Sequence, residues 1–311
     1  MESLKPQTDA ANSGIAAVRE FFHEPVDVRV AAAIRIGYAG LLLINVLCWW
    51  PDLDRWFSES GVLSLTSSRQ VIATNSLTLF QILPTDSSTL RIAYGLFLCH
   101  IVGLLLGWLS RVNAICCYVW LVSFQHRNNL LFEGEDTLFR IIGFLLIFMP
   151  LNQAWSLDRC RRPVVLSAPM LVDGWPVRLL QLEMTMVYFS AGWCKLLGTP
   201  WRDGTALYYV MRLDDYWGRF PIPSVIADTP WIVRGLTWTT IGIELAVPVL
   251  IWFAPTRRLA LLLVLIFHLA CDYAMHLFLF HWIMLVGWLS FVKPEDFDRV
   301  STFWMRRRPG D

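Results

Sequence analysis

RLLQLEMTMVYFSAGWCKLLGTPWRDGTALYYVMRLDD, from Arg178 to Asp215, is the stretch of sequence that sets the fold class. Its first half is largely apolar and predicts a helix at membrane depth, with Lys195 near the far end. The chain then leaves the bilayer through a Trp-Arg-Asp-Gly corner. A charged side chain near the bilayer centre costs about 2.5–3.5 kcal/mol. Lys195 therefore either extends to the interface or is placed for chemistry.

The composition is that of a membrane protein. Of 311 residues, 56% are hydrophobic and only 16% are charged, against a usual charged share of about 25%. Sixteen Trp and nineteen Phe agree, because aromatic side chains collect at the two lipid–water interfaces. A net charge of +1 argues against a nucleic-acid-binding protein, which would carry a concentrated basic face. The seven cysteines are scattered without metal-ligand spacing, so we interpret them as small buried hydrophobic residues and predict no metal.

The apolar runs predict an all-α, polytopic integral membrane bundle of about eight spans, since about 20 apolar residues cross the hydrocarbon core. The predicted domains are an interfacial N-terminal arm (1–30), a membrane domain (31–297) and a basic cytoplasmic tail (298–311). The predicted spans are 31–50, 90–109, 112–126, 138–154, 178–197, 234–253, 259–275 and 277–292.

The distribution of Lys and Arg predicts the orientation of these spans. With the N-terminus inside, the inner segments hold fifteen of the 26 basic residues and the outer segments hold six. Because positive charge is retained in the cytoplasm, we expect both termini to be cytoplasmic. Lys195, His268 and the acidic segment 133–136 then fall toward the outer side, where a cavity open to the exterior would keep them hydrated.

Each candidate side chain has a structural interpretation beside the functional one. Lys195 is either an interfacial anchor with its ammonium among headgroups or a desolvated general base, and any counter-charge must come from another helix. His268 is either a core histidine or a reactive group. Asp272 and His276 share its helical face at i+4 and i+8, and Asp272 could orient either histidine. Glu244, in mid-span, is either functional or a helix-to-helix hydrogen bond.

The acidic segment offers two further candidates, Glu135 and Asp136. Arg140 follows Asp136 by one helical turn, and an i, i+4 ion pair between them is the simplest interpretation of that arginine.

Three stretches together resemble the HTTM family, the bacterial membrane proteins related to the membrane domain of vitamin K-dependent gamma-carboxylase. They are YFSAGWCKLLGTPWRDGTALYY (188–209), FEGEDTLFRIIGFLLIFMPLNQAWSLD (132–158) and IELAVPVL with LIFHLACDYAMHLFLFHWIMLVGWLSF (243–250 and 265–291). The similarity extends over roughly residues 20–297. It implies a multi-helix membrane fold with an active site on the exoplasmic side, here the periplasm or exterior of a bacterial inner membrane.

The resemblance also implies residue roles. Lys195 stands where the carboxylase has the base that deprotonates reduced vitamin K, in the matching Ala-Gly-x-x-Lys-Leu stretch, and His268 matches the histidine of the family's Phe-His block. Glu135 and Asp136 stand where the carboxylase has Asn-His, so carboxylates replace a histidine. The leading expectation is therefore a lyase-type quinol epoxidase acting on reduced vitamin K or another quinol, with a coupled substrate. The aromatic residues expected to bind the quinol are Tyr188, Trp193 and Trp201.

A second expectation comes from a different class of protein. Family members resembling the sporulation-delaying protein B help to mature a secreted peptide, so the alternative is a non-catalytic maturation or export factor with a secreted peptide or protein as its partner. Transport is less expected, because the sequence has no inverted repeat and no paired broken helices.

Overall fold

The protein is a helical bundle in which most of the described residues are helical. The structure, a computed structural model, describes residues 6–64, 67–68, 78–161, 171–213 and 218–299, with side chains from residue 14 onward. Most of the predicted basic tail (298–311) and the end of the 178–215 stretch lie outside the described residues.

Fourteen α-helices, four 3-10 turns and one two-stranded sheet lie in the described ranges. The helices are α1 (Pro6–His23), α2 (Val28–Cys48), α3 (Leu53–Phe57), α4 (Ser87–Leu106), α5 (Ser110–Arg127), α6 (Gly134–Leu146), α7 (Leu157–Cys160), α8 (Trp175–Leu197), α9 (Thr199–Arg202), α10 (Ala206–Val210), α11 (Ser224–Ala227), α12 (Pro230–Leu250), α13 (Arg257–Ala274) and α14 (Phe280–Trp288). The 3-10 turns are Trp50–Asp52, Leu79–Gln81, Asn129–Leu131 and Leu289–Phe291. Strands β1 (Val26–Asp27) and β2 (Leu171–Val172) pair antiparallel.

Local sequence signals set several helix ends. The Asp27 carboxylate accepts the Arg29 amide at the start of α2, and the Asp86 carboxylate accepts two amides at the start of α4, as short acidic caps do. Gly107 ends α4 with φ of 68°, a left-handed conformation that glycine adopts without a steric penalty. Pro230 opens α12, where its missing N–H costs no helical hydrogen bond.

Each of the eight predicted spans contains a helix, but the helices differ in length. Within the described residues, three helical segments are long and apolar enough to cross a membrane: Val28–Phe57, Ser87–Leu106 and Pro230–Leu250. Helices α6 and α14 have 13 and 9 residues. At 1.5 Å per residue they rise only about 20 and 14 Å, less than the roughly 30 Å of a hydrocarbon core.

Helix α2 lies at the centre of the bundle and packs against α4, α6 and α14. One of its faces, Ile34, Tyr38, Leu42 and Val46, is fully buried. The Tyr38 hydroxyl donates to the Phe139 carbonyl of α6 at 3.1 Å. The outer surface is apolar instead: Met186 and Leu197 of α8 are 65% and 68% exposed. An apolar outer surface around an interior that contains hydrogen-bonded polar groups is typical of an integral membrane protein.

Helices α8 and α12 approach each other closely at Gly192. A Cβ at this position would lie 2.9 Å from Leu245 Cδ2 and 3.1 Å from Glu244 Cβ, which is too close for most side chains. Small residues at such crossings let two backbones pack by van der Waals contact where lipid supplies no hydrophobic driving force. This crossing brings the end of α8 that carries Lys195 against the middle of α12.

Candidate functional site

Lys195 forms an ion pair with Glu244 of α12. Lys195 Nζ lies 2.7 Å from Glu244 Oε1, and the two side chains are 23% and 8% exposed. The partner that the sequence required from another helix is therefore Glu244, and the ammonium is turned into the bundle rather than extended among headgroups. Of the two interpretations of Glu244, the helix-to-helix hydrogen bond is present. A functional role for Glu244 stays open, because the second oxygen of its carboxylate makes no hydrogen bond within the described residues.

The surroundings of the pair leave one acceptor atom free. Glu244 Oε2 is buried and has no hydrogen-bond partner within the described part of the chain. The indole of Trp201, just beyond the Gly198 end of α8, has its ring centroid 5.2 Å from Lys195 Nζ, a cation–π distance. Cys271 of α13 lies within electrostatic range of both charges. The pair thus combines two opposite charges, an aromatic ring and an unused carboxylate oxygen.

Tyr188, His268 and His281 form a buried chain of polar side chains next to this pair. The Tyr188 hydroxyl lies 2.7 Å from His268 Nε2, and His268 Nδ1 lies 3.1 Å from His281 Nδ1. Each of the three residues is at most 3% exposed. Trp288 packs edge-on against the Tyr188 ring at 4.8 Å.

The tautomers of this chain are linked, because a neutral imidazole has one donor and one acceptor. When the Tyr188 hydroxyl donates to His268 Nε2, His268 Nδ1 must donate to His281 Nδ1, and His281 then carries its own proton on Nε2. That nitrogen has no partner among the described residues. Tyr188 lies two helical turns before Lys195 on α8, and no hydrogen bond joins this chain to the Lys195–Glu244 pair within the described residues.

Asp272 and His276 do not take part in this chain. Asp272 Oδ1 lies 2.5 Å from Arg219 Nη1, so it pairs with an arginine rather than orienting a histidine. His276 lies beyond the end of α13 at Ala274 and is exposed, so the i, i+8 helical relation does not apply to it. Helix α13 ends there because the backbone of Met275 is extended and forms a β-bridge with Gly218.

Glu135 and Asp136 lie at a separate place, the start of α6. Glu135 Oε2 accepts the Leu279 amide at 2.9 Å, which ties α6 to the start of α14. Asp136 accepts from the Glu133 amide and from Gln125 Nε2 at 3.1 Å. The expected Asp136–Arg140 ion pair is instead bridged by Gln125, whose Oε1 accepts two bonds from Arg140.

One cavity at this end of the bundle is lined by the acidic residues and not by Lys195. It measures about 340 Å³, and its polar lining includes Glu135, Asp136, Asn45 and Asn128. The four side chains expected to share one hollow therefore occupy two places. Among the described contacts, the two places approach each other at the start of α14, where the Leu279 amide bound by Glu135 is two residues from His281.

The three aromatic residues expected to bind a quinol also separate. Tyr188 belongs to the buried chain and Trp201 covers Lys195. Trp193 is 54% exposed and stacks on Phe189 at 6.2 Å. Two residues along a helix turn about 200°, so Trp193 faces away from Lys195. His281 is the residue that sequence reasoning missed. A histidine in the next apolar run of the chain, Phe-His-Trp at 280–282, was the only signal.

Comparison with known proteins identifies the relatives of this fold. Residues 23–295 match the HTTM domain family. The uncharacterized protein YitO of Bacillus subtilis is 22% identical over 214 residues, covering 67% of this chain and 68% of YitO. The sporulation-delaying protein SdpB of the same organism is 20% identical over 210 residues, covering 64% of this chain and 62% of SdpB. No solved structure matches.

Proposed function

Because the chain belongs to the HTTM domain family, we propose that it is an integral membrane enzyme that deprotonates a quinol at the Lys195–Glu244 pair, in the manner of the carboxylase membrane domain. The observation that carries the proposal is the 2.7 Å ion pair between two membrane helices, with one buried carboxylate oxygen unused. Buried ion pairs are costly to desolvate and weak evidence for stability. Ionisable groups inside a membrane are more often functional.

The proposed topology has eight membrane segments, of which α6 and α14 are too short to cross as single straight helices. It places both termini in the cytoplasm and the site facing the periplasm or exterior of a bacterial inner membrane. The distribution of basic residues supports this topology, because the inner segments hold fifteen of them and the outer segments hold six. It also accounts for the clustering of Lys195, Glu135 and the start of α14 toward one end of the bundle.

The residues near Lys195 fit a quinol in their chemistry. The lysine side chain is 23% exposed, so a lipid-phase molecule can reach it. Trp201 presents an aromatic ring beside the ammonium. Trp193 faces elsewhere and is not assigned to this site. A bound quinol supplies the phenolic O–H and the electrons that reduce oxygen.

The Lys195–Glu244 pair has two protonation states with zero net charge, and it can accept one proton in either of them. As amine plus carboxylic acid, Lys195 takes the proton directly. As ammonium plus carboxylate, Glu244 takes it through Oε2. Both routes end with an ammonium and a carboxylic acid beside the negative charge left on the substrate, which the ammonium stabilises.

The test is quinol-dependent oxygen uptake and quinone-epoxide formation by the purified protein in nanodiscs. General acid–base groups contribute about 10²–10⁴-fold, so Lys195→Ala should lower turnover by at least about 100-fold. Arg91→Ala is the matched control, because it removes an exposed ion pair with Asp54 of the same 2.7 Å length. Full retention of turnover by folded Lys195→Ala protein removes Lys195 from the reaction, and absence of quinol-dependent turnover in the wild type removes the enzymatic assignment.

The second candidate function is a non-catalytic maturation or export factor for a secreted peptide. The similarity to SdpB favours it. A factor of this kind should co-purify with a small secreted precursor, and Lys195→Ala should leave that association unchanged.

A further inference from the structure

A second cavity lies at the other end of the bundle from Lys195. It measures about 480 Å³ and is bordered by the starts of α8 and α13, by β1 and by the segment after α14. Four basic residues line it: Arg178, Arg257, Arg258 and Lys293. Arg178 and Lys195 are 17 residues apart on α8, about 26 Å along the helix axis, so this cavity is independent of the proposed quinol site.

Some of the charges at this cavity are already paired. Arg178 forms an ion pair with Glu24 and donates to Gln181 Oε1 at 2.8 Å. Arg258 lies 3.0 Å from Asp296. A second carboxylate of the lining, Asp27, binds Arg29 at 2.8 Å.

Arg257 and Lys293 remain without an ion-pair partner inside the described ranges. Glu295, an exposed residue, acts on Lys293 electrostatically without forming an ion pair with it within the described ranges. Burial and the neighbouring Arg257 and Arg178 guanidiniums lower the pKa of Lys293, because like charges disfavour the ammonium. Positive charges that repel one another around an open volume favour an anion between them.

Ser290 adds a second, independent feature. It borders the cavity and is 3% exposed, yet its Oγ has no hydrogen-bond partner within the part of the chain that the structure describes. Buried hydroxyls are normally paired, so an unpaired one at a cavity wall indicates a missing partner. A hydroxyl can donate to an anion in concert with Arg257 and Lys293.

We propose that the cavity between α8, α13 and residues 290–296 binds a phosphate group, from an anionic phospholipid headgroup or a soluble phosphoester. Guanidinium and ammonium groups are the usual phosphate ligands. The volume lies within the range of small-molecule sites. The proposed topology places this end at the inner surface, where anionic lipids and basic segments meet.

Binding is measured on the purified full-length protein in a neutral, phosphate-free detergent. The two probes are short-chain phosphatidylglycerol and inorganic phosphate, each titrated against sodium chloride of equal ionic strength. The wild type should bind at least one probe saturably, with a raised unfolding temperature. Saturable binding of phosphatidylglycerol alone identifies the lipid as the source, and binding of phosphate as well identifies a phosphoester site.

The variants place the site at this cavity. Arg257→Gln with Lys293→Gln should weaken the Kd by at least about tenfold, a change of roughly 1.4 kcal/mol. Ser290→Ala, which removes one hydroxyl and no charge, should weaken it severalfold without unfolding the protein. Arg161→Gln, an exposed basic residue outside this lining, should bind as the wild type does. Absence of saturable binding, or an equal loss in Arg161→Gln, overturns the proposal.

Discussion

Lys195→Met combined with Glu244→Met should destabilise the protein less than the sum of the two single substitutions does. Lys195→Met leaves a carboxylate that is only 8% exposed next to no cation. Glu244→Met leaves an ammonium without its 2.7 Å partner. The double variant leaves neither charge, and methionine preserves the length of both side chains. The difference between the paired and separate effects is the coupling energy of the two residues.

The geometry sets the size of this coupling. Breaking a fully buried ion pair costs about 3–5 kcal/mol, whereas exposed pairs contribute about 0.2–1 kcal/mol. Glu244 is nearly as buried as the carboxylate of a fully buried ion pair. Lys195 is 23% exposed, however, so solvent screens part of the interaction. The expected coupling is therefore about 2 kcal/mol.

The assay is unfolding by sodium dodecyl sulfate in mixed micelles at pH 7, on the wild type, both single variants and the double variant. The Arg91–Asp54 pair supplies a matched control cycle, because it has the same 2.7 Å separation with side chains 59% and 39% exposed. That cycle should give a coupling of about 0.5 kcal/mol. A Lys195–Glu244 coupling no larger than the control would refute the inference that these charges meet in a desolvated site.

Three further outcomes follow from the described contacts. Gly192→Ala should lower the unfolding free energy by about 1–3 kcal/mol, measured in the same micelles, because the new Cβ meets Leu245 at 2.9 Å, whereas Gly242→Ala, with nothing within 4 Å, should be neutral. Burial alone would raise the pKa of Asp158, but two backbone amides and a serine hydroxyl that donate to it lower that pKa. The unfolding free energy of the wild type should therefore exceed that of Asp158→Asn by its full amount above about pH 4. This difference should disappear as the pH falls through the pKa of Asp158 in the folded protein, and a difference that grows on acidification contradicts this. Tyr188→Phe leaves a buried imidazole nitrogen unpaired and should cost about 1–3 kcal/mol in the same unfolding assay, which an unchanged midpoint would exclude.

The apolar runs located the helices better than they located the helix ends. All eight apolar segments contain helices because apolar runs of membrane length have few alternative structures. The end of α13 at Ala274 carries no Gly or Pro signal, so the sequence extended that helix to His276. The tertiary pairing of Met275 with Gly218 decided the end instead.

The site was predictable to the extent that it depends on one helix. A lysine at membrane depth required a partner, and Glu244 was the carboxylate in mid-span, but only the close crossing at Gly192 brings the two together. Which helices are neighbours is a property of packing, so the contact of His268 with His281 was not readable. For the same reason the cavity beside Glu135 could not be separated from Lys195 in advance.

The rate of quinol-dependent oxygen uptake in nanodiscs, compared between the wild type and the double variant Lys195→Met with Glu244→Met, tests the central claim most directly. Methionine preserves the length of both side chains, but neither replaced side chain can accept a proton. Turnover should fall below roughly one hundredth of the wild-type rate, while the unfolding midpoint shows that the protein remains folded. Wild-type turnover in the double variant would contradict the claim that the Lys195–Glu244 pair is the proton acceptor.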